Sequence, residues 1–307
     1  MKHMTVSAEK VSEVQQAIMA TQPRVLTQEQ REKYFREGYL GVPQLVGEDW
    51  LDRLNQVTAE FVDLSRTADV GDKRFDLEAG HSAESPRLRR LNNPVALHDA
   101  YWSFASEGPF VDVAVDLLGP DVKFHHCKLN FKWGDGGEEV KWHQDIQFWP
   151  HTNYDVLTIG VYLDDVTEDM APMGVIPGSH EGPLYDLYNS DGEWTGSIRE
   201  ADVPGIEADR AEYLGGPAGS ITVHNCRSIH GSPPNRSPRP RPLLLCAYSA
   251  ADALPITNLT LGQKHAETIV SGSRSRWARF DSRPVLMPPD WSRTGYKSIF
   301  AHQQEED

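Results

Sequence analysis

Cysteine is scarce in this chain. Cys127, Cys226 and Cys246 are its only three in 307 residues, widely separated and without a Cys-x-x-Cys pair. An odd number at such spacing excludes a disulfide-stapled secreted fold and fits a reducing compartment, so a cytoplasmic protein is expected. Long apolar runs are missing too. Nothing approaches the roughly 18 residues a membrane span needs, and the opening MKHMTVSAEK lacks the apolar core of a secretion signal. Positive charge is in deficit: 30 Lys and Arg stand against 45 Asp and Glu, a formal net charge of −15. That argues against a nucleic-acid or anionic-membrane binder and leaves room only for a local basic pocket. No internal repeat, low-complexity tract or linker is evident. What is present, 39% hydrophobic residues, suffices for a buried core and excludes global disorder.

The first part of the chain reads as helices. Thr27-Gln-Glu-Gln30 has the capping-box spacing, and the segment through Arg36 stops at Gly38. Tyr39 to Val42 is short, apolar and strand-like. Asp49 is placed to cap a second helix in which Leu51, Leu54, Val57, Phe61 and Leu64 recur at three- and four-residue spacing. A third helix is expected from about Phe110 to Leu118, ending at Gly119-Pro120. From residue 121 the texture changes to short β-branched or aromatic runs: Val122 to Trp133, Val140 to Trp149, Val156 to Leu163, Gly219 to Asn225 and Pro242 to Ser249. Turn-forming clusters separate them, the pattern of an antiparallel β fold. Gly134-Asp-Gly-Gly137 reads as a hairpin loop between the first two runs. Residues 181–212 are polar and are expected to form a long insertion, a candidate lid. The tail after 255 is rich in Arg and Pro, with Trp277, Phe280 and Trp291 available to dock it. The expected organisation is an N-terminal extension (1–26) followed by one domain (27–307), with a helical face at about 27–120, a β core at about 121–250 and a tail at 251–307.

The segment that carries chemistry is Lys141-Trp-His-Gln-Asp145. On a strand, residues i and i+2 share a face, so His143 and Asp145 project side by side and can take adjacent positions on one metal ion. His230, just past the apolar run Ile221 to His224, is the candidate third ligand. Two imidazoles and one carboxylate on one face leave open positions, the arrangement of non-haem Fe(II) oxygenases. By itself His-x-Asp is equally explained by two solvated residues on an edge strand. Past His230 come Gly231, Ser232, Asn235 and Arg241, which opens the strand Pro242 to Ser249. Arginine there can hold a carboxylate by two parallel hydrogen bonds, the anchor that the far end of an iron-chelating 2-oxo acid requires. An exposed charge in the Arg-Pro-Arg-Pro run is the alternative, and Arg239 competes for the role.

The ordered set His143-Gln-Asp145, Phe148-Trp-Pro150, Ile176-Pro-Gly-Ser-His180 and His230-Gly-Ser232 with Arg241 resembles the phytanoyl-CoA dioxygenase family over roughly residues 27 to 250. That resemblance implies a mainly β fold, a jelly-roll or double-stranded β-helix core with flanking N-terminal helices. It implies Fe(II) held by His143, Asp145 and His230, and 2-oxoglutarate bound by Arg241, Ser232 and Asn130, with Thr158 a further cosubstrate contact. With O2, such an enzyme hydroxylates an aliphatic C–H and releases succinate and CO2. Related halogenases replace the carboxylate ligand with a small residue, so the presence of Asp145 implies hydroxylation. The chain departs from the family where Asn-Gly is usual and Met170-Ala-Pro-Met-Gly174 stands instead.

Other residues admit two readings. Phe148 and Trp149 either wall a substrate pocket or are plain core aromatics. Arg87, Arg89 and Arg90 form a solvated charge cluster, or Arg90 meets a substrate or cosubstrate carboxylate. His125 and His126 should alternate across a strand, so one faces the site; His126, which shares its face with Lys128 and Asn130, is the expected pocket residue. His224 is expected in a core or hydrogen-bonded role, and His180 in a structural turn. The substrate class expected is a small polar metabolite or natural-product intermediate. The same ligands on the same fold would also serve a Zn(II) hydrolase or isomerase, and a non-catalytic small-molecule-binding β-sandwich is the third reading; Arg241 with Ser232 argues against the former, the complete triad against the latter.

Overall fold

A computed structural model describes residues 13–69, 71–134, 138–257, 264–291 and 299–304. Helix α1 (Glu13–Met19) precedes α2 (Gln28–Glu37), which begins with the predicted capping box at Thr27 and Gln30 and ends on Gly38 at φ 80. Glycine suits that end because a side chain disfavours the left-handed region. The stretch read as an extension is tied down from Arg24 onward: the Asp116 carboxylate accepts the backbone N–H groups of Arg24, Val25 and Leu26. Helix α3 (Glu48–Ser65) buries Leu54, Val57 and Phe61 as the spacing predicts, but Leu64 is exposed and the N-cap position is Gly47, two residues ahead of the expected Asp49. Short α4 (Pro94–Leu97) and α5 (Asp99–Glu107) lead to α6 (Pro109–Leu118), almost entirely buried. A final helix, α7 (Ile299–Gln304), lies near the C-terminus.

The described strands form two antiparallel sheets. The larger runs in the order β1 (Tyr39–Val42), β9 (Ile221–Asn225), β6 (Val156–Tyr162), β11 (Leu243–Ala250), β4 (Val122–Asn130), β3 (Leu88–Asn92) and β2 (Phe75–Leu77), with β12 (Ile269–Ser271) also on β4. The smaller runs β5 (Val140–His143), β10 (His230–Ser232), β7 (Met173–Val175) and β8 (Glu212–Leu214). This is the expected double-stranded β-helix with N-terminal helices. The main apolar core lies where α3, α5 and α6 cover the larger sheet, joining Leu54, Phe104 and Phe110 to Phe124, Ile159 and Val223. No helix among the described residues is long and apolar enough to cross a membrane.

Three local expectations change. β4 and β5 belong to different sheets, so the segment between them crosses from one sheet to the other and is not a hairpin; its residues 135–137 lie outside the described residues. Residues 181–212 are not merely a polar insertion: Leu187, Trp194, Ile198 and Ile206 build a second core with Phe148, Ile176, Ile229 and Trp291. In the tail Trp291 is buried as expected, whereas Trp277 is 84% and Phe280 75% exposed and neither docks it. Arg279 anchors that segment instead, bridging Asp155 and Asp252.

Candidate metal centre and its pocket

Strand pairing creates the first part of the site. His143 and His230 are direct partners across β5 and β10, so their side chains rise side by side from the smaller sheet. Each ring is fixed by its Nδ1, which lies 2.9 Å from the Lys141 carbonyl in His143 and 3.0 Å from the Ser228 carbonyl in His230. An Nδ1–H donated to a carbonyl leaves the Nε2 lone pair free for a metal. Both Nε2 atoms lie 3.8 Å from Asp145 Oδ1. The ligand atoms of His143, Asp145 and His230 fall within 4.8 Å of one another, and all three residues are buried. Nitrogen and oxygen donors in that compact set suit a divalent transition ion.

Asp145 reaches this position by a route the alternation rule did not foresee. β5 ends at His143, and Asp145 opens a single 3₁₀ turn, Asp145–Gln147. That turn is pinned by Ile146 N–H to the Cys226 carbonyl at 2.9 Å and by the Gln144 side chain, which donates to the Arg227 and Pro183 carbonyls. The other carboxylate oxygen, Oδ2, accepts from the Thr158 hydroxyl at 3.1 Å and from His224 Nε2 at 3.2 Å. Thr158, expected as a cosubstrate contact, does line the pocket, but its hydroxyl holds the carboxylate so that Oδ1 faces the imidazoles. His224, with Nε2 donating to Asp145, has the hydrogen-bonded role expected of it.

The charges follow from burial and neighbours. Burial pushes the His143 imidazole down to about 4, with Asp145 pulling the other way. His230 is held well below its ordinary value by burial and by His143 beside it. Burial alone would raise the Asp145 carboxyl; Lys128, His230 and His224 outweigh it and hold it well below the usual range. The set is therefore two neutral imidazoles and one carboxylate, the protonation states that ligation requires.

A cleft of about 530 Å³ joins these ligands to Arg241, Ser232, Asn130 and Arg90. Arg241 is 3% exposed, and its Nε and Nη1 have no hydrogen-bond partner. Burial draws the guanidinium below its ordinary value, which Tyr162 partly offsets. Donors buried and unpaired are costly unless a ligand completes them. Arg239, its sequence competitor, sits half exposed near Asp164. Asn130 faces the cleft with Oδ1 accepting from Arg90 Nε at 2.9 Å. Behind the lining residues Leu243 and Leu245, Gly160 allows close packing: a Cβ there would lie 2.8 Å from Thr222 Oγ1 and 2.9 Å from Leu243 Cδ1 and Leu245 Cδ2.

An adjoining cavity shares Arg90, Lys128, His143 and Asp145 and adds Phe148, Trp149 and His126. All four residues read from sequence as candidate substrate contacts, Phe148, Trp149, His126 and Arg90, thus lie on it. The expectation that His125 and His126 alternate is overturned. The β4–β11 register passes from Phe124↔Tyr248 to His126↔Ala247, so His125 is an extra residue in a β-bulge. The two rings therefore meet, with Nδ1 atoms 2.6 Å apart, and both pack near Trp149. Lys128, which sequence reading named only as a face-sharing neighbour, lines both cavities; its place between His126 and Asn130 was the available signal. Ile299 and Phe300 of α7 also line the main cleft, and nothing in the sequence spacing marked them.

Comparison with known proteins agrees with this geometry. The model of the phytanoyl-CoA dioxygenase family matches residues 34–243. A probable alpha-ketoglutarate-dependent hypophosphite dioxygenase from Stutzerimonas stutzeri is 32% identical, covering 90% of this chain and 96% of that protein. L-proline trans-4-hydroxylase of Streptomyces griseoviridis is 30% identical over 73% of this chain and 86% of its own length. Among solved structures, EctD from S. alaskensis with bound Fe superposes with a TM-score of 0.67 at 22% identity, covering 83% of this chain and 90% of that one.

Proposed function

The chain belongs to the phytanoyl-CoA dioxygenase family, and on that premise we propose that it is an Fe(II)- and 2-oxoglutarate-dependent dioxygenase hydroxylating a small polar substrate. One observation carries the reading: a buried two-histidine, one-carboxylate set opens onto the same cleft as a buried arginine with unpaired donors. Relatives named for hypophosphite, proline and ectoine are all oxygenases of small molecules.

In this reading His143, Asp145 and His230 hold the iron. Bound Fe(II) with 2-oxoglutarate and O2 supplies the oxidising chemistry, in which the 2-oxo acid is decarboxylated to succinate and one oxygen atom passes to substrate. Arg241, helped by Ser232, holds the distal carboxylate, whose arrival would complete the unpartnered Nε and Nη1 of the guanidinium. Asn130 borders the cosubstrate, and Thr158 and His224 keep Asp145 a single-oxygen ligand. Leu243, Leu245, Met173 and Phe300 give the cleft apolar walls that limit water around the ligands. The catalytic unit is one domain, 27–307, with 181–212 over the metal motif as a candidate lid. Its three cysteines are unbridged and buried, which suits the cytoplasm.

Anaerobic titration of metal-free protein with Fe(II) and then 2-oxoglutarate tests this through the visible charge-transfer band of the chelate. The band should require both components and vanish in His143→Ala and Arg241→Ala. Iron binding without a band would favour a hydrolase or isomerase, and no metal binding would leave a small-molecule binder.

A further inference from the structure

Helix α7 has six residues, too few to be stable alone, since isolated helices below about 12–15 residues are marginal in water. The body of the protein holds it instead. The buried Gln303 side chain clamps two segments: its Oε1 accepts the Lys141 N–H of β5 at 2.9 Å, and its Nε2 donates to the Gly196 carbonyl at 3.1 Å. Lys141 precedes His143 by two residues, so one jaw of the clamp is the strand that carries a metal ligand. The other jaw lies between Trp194 and Ile198 of the second core. One turn back on the same face of α7, Ile299 and Phe300 enter that core. The Phe300 ring also meets the guanidinium groups of Arg90 at 5.1 Å and Arg89 at 5.5 Å.

Ile299 stands where the two cavities meet. The residues common to both are Arg90, Lys128, His143, Asp145 and Ile299, so Ile299 is the one apolar side chain among the described residues at that junction. A molecule lying in the adjoining cavity must reach past it to bring a C–H to the metal ligands. Isoleucine in a helix is confined to essentially one χ1 rotamer, which makes it a fixed stop and not an adaptable one. Phe148 and Trp149 give the same cavity further apolar surface. Asn93 lines it too, and its Oδ1 is buried without a donor, which suits a head group carrying an N–H or O–H. The residues assigned to iron and 2-oxoglutarate lie between 130 and 241, inside the 34–243 span of the family match, whereas α7 lies beyond it.

We propose that α7 completes the substrate site, with Ile299 the specificity-determining residue that limits how far an aliphatic chain extends beside the metal ligands. Gln303 is a positioning residue that holds Ile299 at the junction. The class of substrate that fits is a small molecule with a hydrogen-bonding head and a short aliphatic portion lying against Ile299, Phe148 and Trp149. The inference rests on iron at the triad and 2-oxoglutarate at Arg241.

The test uses the full chain loaded anaerobically with Fe(II) and 2-oxoglutarate. Straight-chain primary amides from acetamide to octanamide are titrated in turn, reading perturbation of the visible band. In the parent protein the short amides should perturb the band and the long ones should not. Ile299→Ala should move that limit outward by about three carbon atoms, the number the substitution removes. The first amide past the parent's limit should then bind at least about 10-fold more tightly. Ile299→Trp should move the limit the other way. Gln303→Leu, which loses both hydrogen bonds, should also admit longer amides, and Gln303→Glu, which keeps the acceptor for the Lys141 N–H, should do so less. A merely structural role for Gln303 would lower the unfolding temperature and leave the limit where it was. Persistence of the band shows that each variant folds and holds iron and cosubstrate. The proposal is overturned by a limit that is the same in Ile299→Ala and Ile299→Trp, by a parent band that no amide perturbs, or by loss of the band in Ile299→Ala. A Gln303→Leu variant with the parent's limit overturns the positioning role. Failure of the band in the parent protein removes the iron and 2-oxoglutarate reading itself, and this inference with it.

Discussion

The two sheets contribute different chemistry to one cleft. The smaller sheet supplies neutral nitrogen donors, His143 and His230, paired across a single rung of β5 and β10. The larger sheet supplies fixed charges and the groups that orient Asp145: Arg90, Lys128 and Arg241 on or beside three strands, with Thr158 and His224 facing each other on β6 and β9. Donors for a metal can come from one short ladder because imidazoles must be close. Groups that recognise extended anions must be spread, and a wide sheet spreads them. The division separates holding the metal from choosing what reacts at it.

Breaking the smaller sheet should have the largest effect. His143→Ala or His230→Ala should remove succinate formation by at least about 1,000-fold, well beyond the roughly 10–100-fold typical of residues behind a ligand, while far-UV circular dichroism stays unchanged. Turnover retained in either variant would break the assignment.

Acid should act next. Burial pushes His126 down to about 3 and His151 down to about 4, from 6.5. The unfolded chain takes up these protons first, so stability is intact above pH ~6.5 and falls as pH drops toward the folded values. About 2 kcal/mol should be lost per histidine by pH 5, read from urea midpoints of the metal-free protein at pH 7.5 and 5.

On the larger sheet, Arg241→Met should raise the KM for 2-oxoglutarate about 100-fold and leave iron binding intact. Because Nε and Nη1 of the guanidinium have no partner without ligand, the same change should stabilise the cosubstrate-free protein, relieving on the order of 1–3 kcal/mol; a lowered melting temperature would show that the contact with Tyr162 already satisfies the cation. The smallest effect is expected of Thr158→Val, which removes one of two hydrogen bonds to Asp145 Oδ2 and should weaken iron binding roughly 10-fold. No change in metal affinity would reassign Thr158 to the cosubstrate.

Legibility tracked how local each feature is. The capping box at Thr27, the Gly38 stop and the stripe of α3 were readable because neighbours within one or two turns decide them. His143 and Asp145 were picked out by a spacing, yet the strand geometry invoked for them was wrong, since Asp145 stands on a 3₁₀ turn held by the Cys226 carbonyl. Alternation also failed at His125, where a bulge set by the partner strand turned both imidazoles toward Trp149. The supposed hairpin at 134–137 failed because turn residues show that a chain bends and not which sheet it then joins.

The order of ligand and anchor residues, the cap signals and the alternation of the β runs are properties of the chain alone, because each is set by identity and short spacing. Charge is the opposite case. A chain of net charge −15 encloses Arg90, Lys128 and Arg241 around one carboxylate, while Arg87, Arg89 and Arg279, alike in sequence, are consumed by ion pairs. Which cation stays unpaired depends on strand register and on acids brought from distant segments, and only the folded sheets bring those together.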